Sequence, residues 1–243
     1  MTELISFGAG VNSTAMTIML VNQGWRGPIV FADTGAEWPE TYCFMDYFEK
    51  EWLGPRGLGI TRPGAEYRIE SKRLDLVNYC RLHSVIPIPA ARFCTRLYKT
   101  VPLAKWAEER GITTQFIGIA AEESHRQKGR ECPLIDANID RKGCVKIIQA
   151  EGLSVPRKSG CWICPFQRNS QWQELWTNHR DLFEIARRLE EGACKKTKRF
   201  ITFDPAGKVS LAMRQLRYES QSSMFDDQEM DDLLEYKPCV CGL

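Results

Sequence analysis

The most chemically suggestive residues lie near the start of the chain. Ser6-Phe7-Gly8-Ala9-Gly10-Val11-Asn12-Ser13-Thr14 sits between a short apolar run and the apolar-periodic stretch Ala15 to Val21. Gly8 and Gly10 have no Cβ, so their backbone N–H groups can approach an anion closely, while Asn12, Ser13 and Thr14 can cap a helix and add side-chain donors. A helix N-terminus carries a positive partial charge and free N–H groups, so the chemistry of this loop is phosphate binding. Its bland alternative is a glycine-rich turn with no ligand. A second constellation, Cys161-Trp162-Ile163-Cys164-Pro165, follows a Ser-Gly turn, and its spacing lets both sulfurs reach one metal. Cys94, in Phe93-Cys94-Thr95-Arg96, is the best third ligand because it lies in a loop at the start of a helix. Zinc needs a fourth closed ligand, whereas an iron–sulfur cluster can function with three thiolates and one open iron. Cys132, Cys144, Cys194 and Cys239 are unranked candidates for a fourth ligand, and Cys43 and Cys80 read as buried thiols on apolar helix faces.

Strands and helices must alternate to hold these residues. Gly27 to Ala32 is a short, β-rich apolar run ending at Asp33-Thr34-Gly35, and Pro39 starts a helix through Trp52 with Tyr42, Cys43, Met45, Phe48 and Trp52 at helical spacing. Glu66 to Glu70 is predicted as a strand and Leu74 to Leu82 as a helix. A further helix ends near Gly111, which suits a C-cap, and Thr113 to Ala120 is the next strand. Beyond Leu134 come a helix over Arg141 to Glu151, the basic loop Pro156-Arg157-Lys158-Ser159-Gly160, and helices over Gln171 to Glu191 and Leu211 to Glu219. The alternation predicts an α/β fold, a parallel twisted sheet with helices on both faces. Ligands of such sheets collect at the carboxyl ends of the strands, where the loops at Gly8, Asp33 and Ala121-Glu122-Glu123-Ser124 converge. We divide the chain into a nucleotide-binding α/β domain over 1–155 and a Cys-bearing loop with a helical C-terminal extension over 156–243.

Composition bounds the function classes. The 243 residues, 43% hydrophobic, suffice for one substantial core. Thirty-three basic residues against 31 acidic ones give a formal charge of +2 and no global argument for a nucleic-acid partner. The basic residues between Arg180 and Phe200 are interleaved with acids and read as a solvated helix face. The run Ala15 to Val21 is too short for a secretory core or a membrane span, so a cytoplasmic protein is expected. In that compartment the ten cysteines point to metal binding or thiol chemistry rather than disulfides.

Gly8 to Thr14 resembles the Ser-Gly-Gly-x-Asp-Ser-Thr loop of the PP-loop ATP pyrophosphatases, with Gly8 in place of Ser, Ala9 in place of the first Gly, and Asn12 in place of Asp. Downstream, Asp33-Thr34-Gly35-Ala36-Glu37 resembles the Asp-Thr-Gly-x-Glu segment of the phosphoadenosine phosphosulfate (PAPS) reductase branch. Lys99-Thr100-Val101-Pro102-Leu103 is similar to its Lys-x-x-Pro-Leu segment, Gly118 to Arg126 to the stretch whose distal Arg faces phosphate, and Ser159 to Cys164 to its Ser-Gly-Cys-x-x-Cys. These motifs appear in the family's order. Reductases of this branch use a cysteine in a C-terminal Glu-Cys-Gly-Leu/Ile-His motif, where this chain has Val240-Cys241-Gly242-Leu243. Cluster-bearing adenosine phosphosulfate (APS) reductases have adjacent cysteines where it has Phe93-Cys94. The Phe-Cys-Thr form resembles the DNA phosphorothioation ATP pyrophosphatases of Dnd and Ssp type and related phage proteins.

The resemblance implies an ATP pyrophosphatase and sulfurtransferase that adenylates a substrate oxygen for iron–sulfur-dependent sulfur insertion. Its expected cofactors are ATP, Mg²⁺ and a [4Fe-4S] cluster on Cys94, Cys161 and Cys164. Ser6, Gly8, Gly10, Asn12, Ser13, Thr14 and Asp33 are the expected nucleotide-site residues, and Lys99, Arg126 and Cys241 the catalytic candidates. Lys99 as a solvated helix residue, Arg126 as a surface ion-pair partner and Asp33 as a turn former remain alternatives. Implied partners are DNA as acceptor, tracked by Arg157-Lys158 and Lys195 to Arg199, a sulfur donor such as a cysteine desulfurase, and a second copy of the chain; no membrane is involved. The alternatives are a PAPS or APS reductase with Cys241 as nucleophile and thioredoxin as partner, and a zinc-containing nucleic-acid-binding module.

Overall fold

A computed structural model describes residues 2–63 and 74–220. Within them lie two compact units, one formed by residues 2–63 and 95–160 and the other by 74–94 and 161–220. The expected strand at Glu66 to Glu70 and the cysteines at 239 and 241 lie outside the described residues.

The first unit is built on a four-stranded, all-parallel sheet of β1 (Glu3–Ser6), β2 (Ile29–Val30), β3 (Ile60–Thr61) and β4 (Thr114–Ile117), in the order β3-β2-β1-β4. The chain is an α/β protein. Ile5 stands opposite both Ile29 and Phe116, so the odd residues of β1 face one layer and the even residues the other. The first layer is the larger core, where Ile5, Phe7, Ile29 and Phe31 pack with α1 (Val11–Asn22) and α2 (Pro39–Phe48) and with Cys144 and Ile148 of α7 (Arg141–Ala150). On the opposite face Leu4 and Val30 pack on Leu103, Trp106 and Ala107 of α5 (Val101–Glu108). Helices therefore cover both faces, as parallel strands buried on both sides require.

α2 shows how sequence period sets burial. Thr41, Phe44, Met45, Phe48 and Trp52 are buried, and Phe48 stacks between Phe7 at 5.7 Å and Trp52 at 5.3 Å. Cys43, expected in the core, is exposed because its position turns away from the stripe at 41, 44, 45 and 48. A π-helical turn over Glu49–Leu53 continues α2. Gly111 adopts φ +64° just beyond α5 and donates its N–H to the Glu108 carbonyl at 3.0 Å, which closes that helix as its position suggested.

The second unit holds α3 (Leu76–His83), Phe93 and Cys94 of the short α4 (Phe93–Thr95), α8 (Asn169–Asn178), α9 (Arg180–Thr197) and α10 (Leu211–Ser220). The helix expected over Gln171 to Glu191 is two helices. His179, at φ −137° and ψ 59°, breaks it, and Trp176 meets Phe183 edge-on across the break, their ring centroids 5.0 Å apart. Along α9, Glu184 takes Arg187 at 2.6 Å and Arg188 at 3.0 Å, and Arg187 also pairs with Glu191, so these bases and acids neutralise one another on the helix face as expected. α6 (Pro133–Asp136) is a single turn in the first unit.

Candidate functional site

The sheet order places β2 on one side of β1 and β4 on the other, so the chain reverses direction across the sheet between β1 and β4. The carboxyl ends of those strands form the crevice where open α/β sheets receive ligands. Ser6 ends β1 there, buried, and the loop Phe7 to Gly10 leads into α1. Gly118, just past β4, lies against the first turn of α1. A Cβ on it would come within 2.7 Å of the Ser13 backbone, so only glycine lets β4 approach the helix this closely.

Gly10 is the N-cap of α1, and among the described residues no side-chain cap hydrogen bond is made there. The Ser13 hydroxyl accepts from the Gly10 N–H at 3.2 Å and donates to the Gly10 carbonyl at 3.1 Å, which braces the loop. Ala9 has φ +54°, a conformation that favours glycine. Thr14 is fully buried, and its hydroxyl has no hydrogen-bond partner among the described residues. A buried hydroxyl left in this state costs free energy that a bound polar group can recover.

Charged side chains ring the start of α1. The Asn12 amide donates to Glu123 at 3.4 Å, Glu123 pairs with Arg126 at 2.5 Å, and Arg141 donates to the Asn12 oxygen at 3.3 Å. The carboxylate lost where Asn12 replaces Asp is therefore present one residue away in space, on Glu123. Arg126 is held as an ion-pair partner within reach of the loop's neighbours. Glu123 belongs to a strand-end loop already singled out by sequence, whereas Arg141 opens α7 and carries no local signal.

Asp33 begins a turn, its carboxylate accepting from the Gly35 N–H at 2.8 Å and from the Tyr42 hydroxyl at 2.7 Å. Burial first, and then the Asp33 charge beside it, push the Tyr42 hydroxyl well above its usual range, so it remains a donor. Lys99, on a π-helical turn over Arg96–Thr100, pairs at 3.2 Å with Glu37, whose side chain is 2% exposed. Lys99 is thus tied to the Asp33–Glu37 segment rather than free in solvent. Glu37, part of the quoted motif, was not among the expected site residues.

Cys161 and Cys164 lie on one tight turn, the Cys164 N–H donating to the Cys161 carbonyl at 3.1 Å, and buried Trp162 and Ile163 anchor it. Cys94 belongs to the same unit, and all three cysteines are half-buried. Among the described residues no group of three or more His, Cys, Asp or Glu side chains is arranged to hold a metal ion. Of the candidate fourth ligands, Cys132 and Cys144 are buried, and burial pushes the Cys144 thiol up to about 12. Cys194 is engaged with the Ile201 backbone, donating at 3.1 Å and accepting at 3.3 Å. Cys80 is buried as expected, its thiol also pushed up to about 12 by burial. Among the described residues no helix is long and apolar enough to cross a membrane.

A parallel sheet whose switch-point crevice meets a glycine-bearing loop and the start of a helix is the arrangement in which open α/β folds take anionic ligands, and it fits the adenine nucleotide alpha-hydrolase-like fold. Residues 2–150 match the phosphoadenosine phosphosulfate reductase domain, and the chain belongs to that family. It is also 29% identical over 150 residues to an uncharacterized nin region protein, ORF290, of Escherichia phage lambda. That match covers 53% of this chain and 51% of the phage protein, so the chain spans about half the length of this curated relative.

Proposed function

We propose that this protein is an ATP pyrophosphatase that adenylates a substrate oxygen ahead of sulfur insertion, with a DNA backbone phosphate as the acceptor. The observation that carries the reading is the start of α1: among the described residues no side-chain cap hydrogen bond is made at its N-cap, it lies at the sheet's switch point, and Arg141 and Glu123, the latter paired with Arg126, meet its residue Asn12. The β- and γ-phosphates of ATP would lie on Gly8 to Thr14. The substrate oxygen attacks the α-phosphorus, the bond to the α,β-bridging oxygen breaks, and pyrophosphate leaves. Negative charge grows on that bridging oxygen, and Lys99 and Arg126 are the proposed cations that offset it once phosphate competes for them with Glu37 and Glu123. Donor sulfur, reduced by a thiol to the sulfide level, then attacks the phosphorus that bears the activated oxygen; the bond between that phosphorus and the oxygen breaks, and AMP leaves carrying the oxygen. Phe93 standing beside Cys94, in place of paired cysteines, supports this reading over a cluster-bearing APS reductase. A cytoplasmic setting, a cysteine desulfurase as sulfur donor and self-association belong to the same proposal.

The family's own description favours a second reading, reduction of PAPS or APS to sulfite with Cys241 as nucleophile and thioredoxin as electron source. One experiment separates them. Anaerobically purified protein is expected to release pyrophosphate from ATP, faster with DNA, and to form no sulfite from PAPS or APS; sulfite without pyrophosphate establishes the reductase. A cluster on Cys94, Cys161 and Cys164 is part of the proposal, though no step above runs through it. The wild type is expected to carry iron and sulfide that Cys161→Ala/Cys164→Ala loses, and a wild type free of both removes the cluster.

A further inference from the structure

Residues 157–160 reach the first loop at Gly10, although 149 positions of sequence separate Ser159 from it. A Cβ placed on Gly10 would lie 2.7 Å from the Ser159 hydroxyl oxygen and 3.5 Å from the Ser159 Cβ, so Ser159 sits against Gly10. The segment is fastened on both sides of Ser159. The Arg157 guanidinium lies over the Trp38 ring at 4.1 Å and pairs with Glu40 at 3.1 Å, while the Gly160 carbonyl accepts from the Trp38 N–H at 3.2 Å. Trp38 is itself buried, which makes the anchor rigid. The result is a strap that presents one hydroxyl at the start of α1, where first-turn N–H groups lack intrahelical partners. All of these residues belong to the first unit.

Resting on the nucleotide reading above, we propose that Ser159 is a phosphate-binding residue of the first-loop site and that residues 157–160 form a strap which nucleotide tightens. The ligand class is the polyphosphate of an adenine nucleotide. Ser159 donates its hydroxyl proton to a phosphate oxygen, and no covalent bond changes.

The test uses the full chain, with the α,β-methylene analogue of ATP plus Mg²⁺ and, separately, adenosine 3′,5′-bisphosphate as probes. Calorimetry is expected to show Ser159→Ala binding the probe about ten-fold more weakly than wild type, a loss typical of a hydrogen bond to a charged group, with Ser159→Thr restoring most of it. Hydrogen exchange over 157–160 is expected to slow in wild type when the probe binds, and not in Ser159→Ala. If wild type binds either probe and Ser13→Ala weakens it, but Ser159→Ala binds as wild type does with unchanged exchange in the strap, the strap proposal is overturned. If wild type binds neither probe, the nucleotide reading itself fails, and the strap proposal fails with it.

Discussion

Ala9 and Lys99 show how single residues of the site carry opposing demands. Ala9 is buried at φ +54°, so glycine would relieve strain of about 1 kcal/mol, while the lost methyl burial and the looser unfolded chain take back about as much. Ala9→Gly is therefore expected within about 0.5 kcal/mol of wild type by urea unfolding, whereas Ala9→Val, β-branched at positive φ, is expected to lose about 2 kcal/mol or more. Equal stability of all three would mean that the loop relaxes out of this conformation. Lys99 is the cation facing a carboxylate whose side chain is 2% exposed, and its own side chain is 20% exposed. Lys99→Met is expected to cost about 2 kcal/mol, below the loss for a fully buried pair because water reaches the amine. An unchanged midpoint would show that other partners satisfy Glu37. At the loop, Ser13→Ala removes both hydrogen bonds to Gly10 and is expected to weaken binding of the ATP analogue about ten-fold; full affinity would remove this loop as the phosphate site.

At the scale of elements, α9 is tied to the segment before α10 by one buried acid. Glu190 accepts from the Phe203 N–H at 2.9 Å and from the Leu211 N–H at 2.6 Å. Burial raises its carboxyl from 4.5 to about 7, with the two N–H groups and Arg214 pulling the other way and Asp204 adding to the rise. The folded state therefore binds this proton more tightly than the unfolded chain does. The associated stability is fully present below the unfolded value and is lost as pH climbs to about 7 and beyond, a change on the order of 3 kcal/mol. Thermal melts of the full chain are expected to shift downward as pH rises from about 5 to about 8, and Glu190→Ala is expected to be less stable throughout and flatter over that window. A wild-type melting temperature rising over the same window would contradict the assignment. Element boundaries were readable wherever local chemistry marked them: Pro39 opens α2, Asp140 caps α7 through the Gly143 N–H, and Gly111 closes α5. The break at His179 was not, because no Pro or Gly marks it and the ring contact between Trp176 and Phe183 stabilises it from outside the local sequence.

At the scale of the whole molecule, the two units do not follow a single cut in the sequence. α3 packs with α9, and Lys196 donates to the His83 carbonyl at 2.6 Å, so residues 74–94 belong with the later helices. A fragment ending at residue 155 is expected to expose Leu76, Val77 and Cys80, to bind a hydrophobic dye and to lose cooperative unfolding. A soluble fragment with a sharp transition would show that α3 needs no cover from α9. The sequence by itself determined the parallel α/β class, the glycine-bearing loop between β1 and α1, and the cysteine turn, because glycine conformation, capping and hydrophobic period act between near neighbours. Only the tertiary structure decided that Asn12 would meet Glu123, 111 residues away, that Lys99 would meet Glu37, 62 away, and that Ser159 would lie on Gly10. Strand order brings those groups together, and the partner of a charge or hydroxyl is fixed by which loops share a sheet edge, a relation that no local pattern of residues encodes.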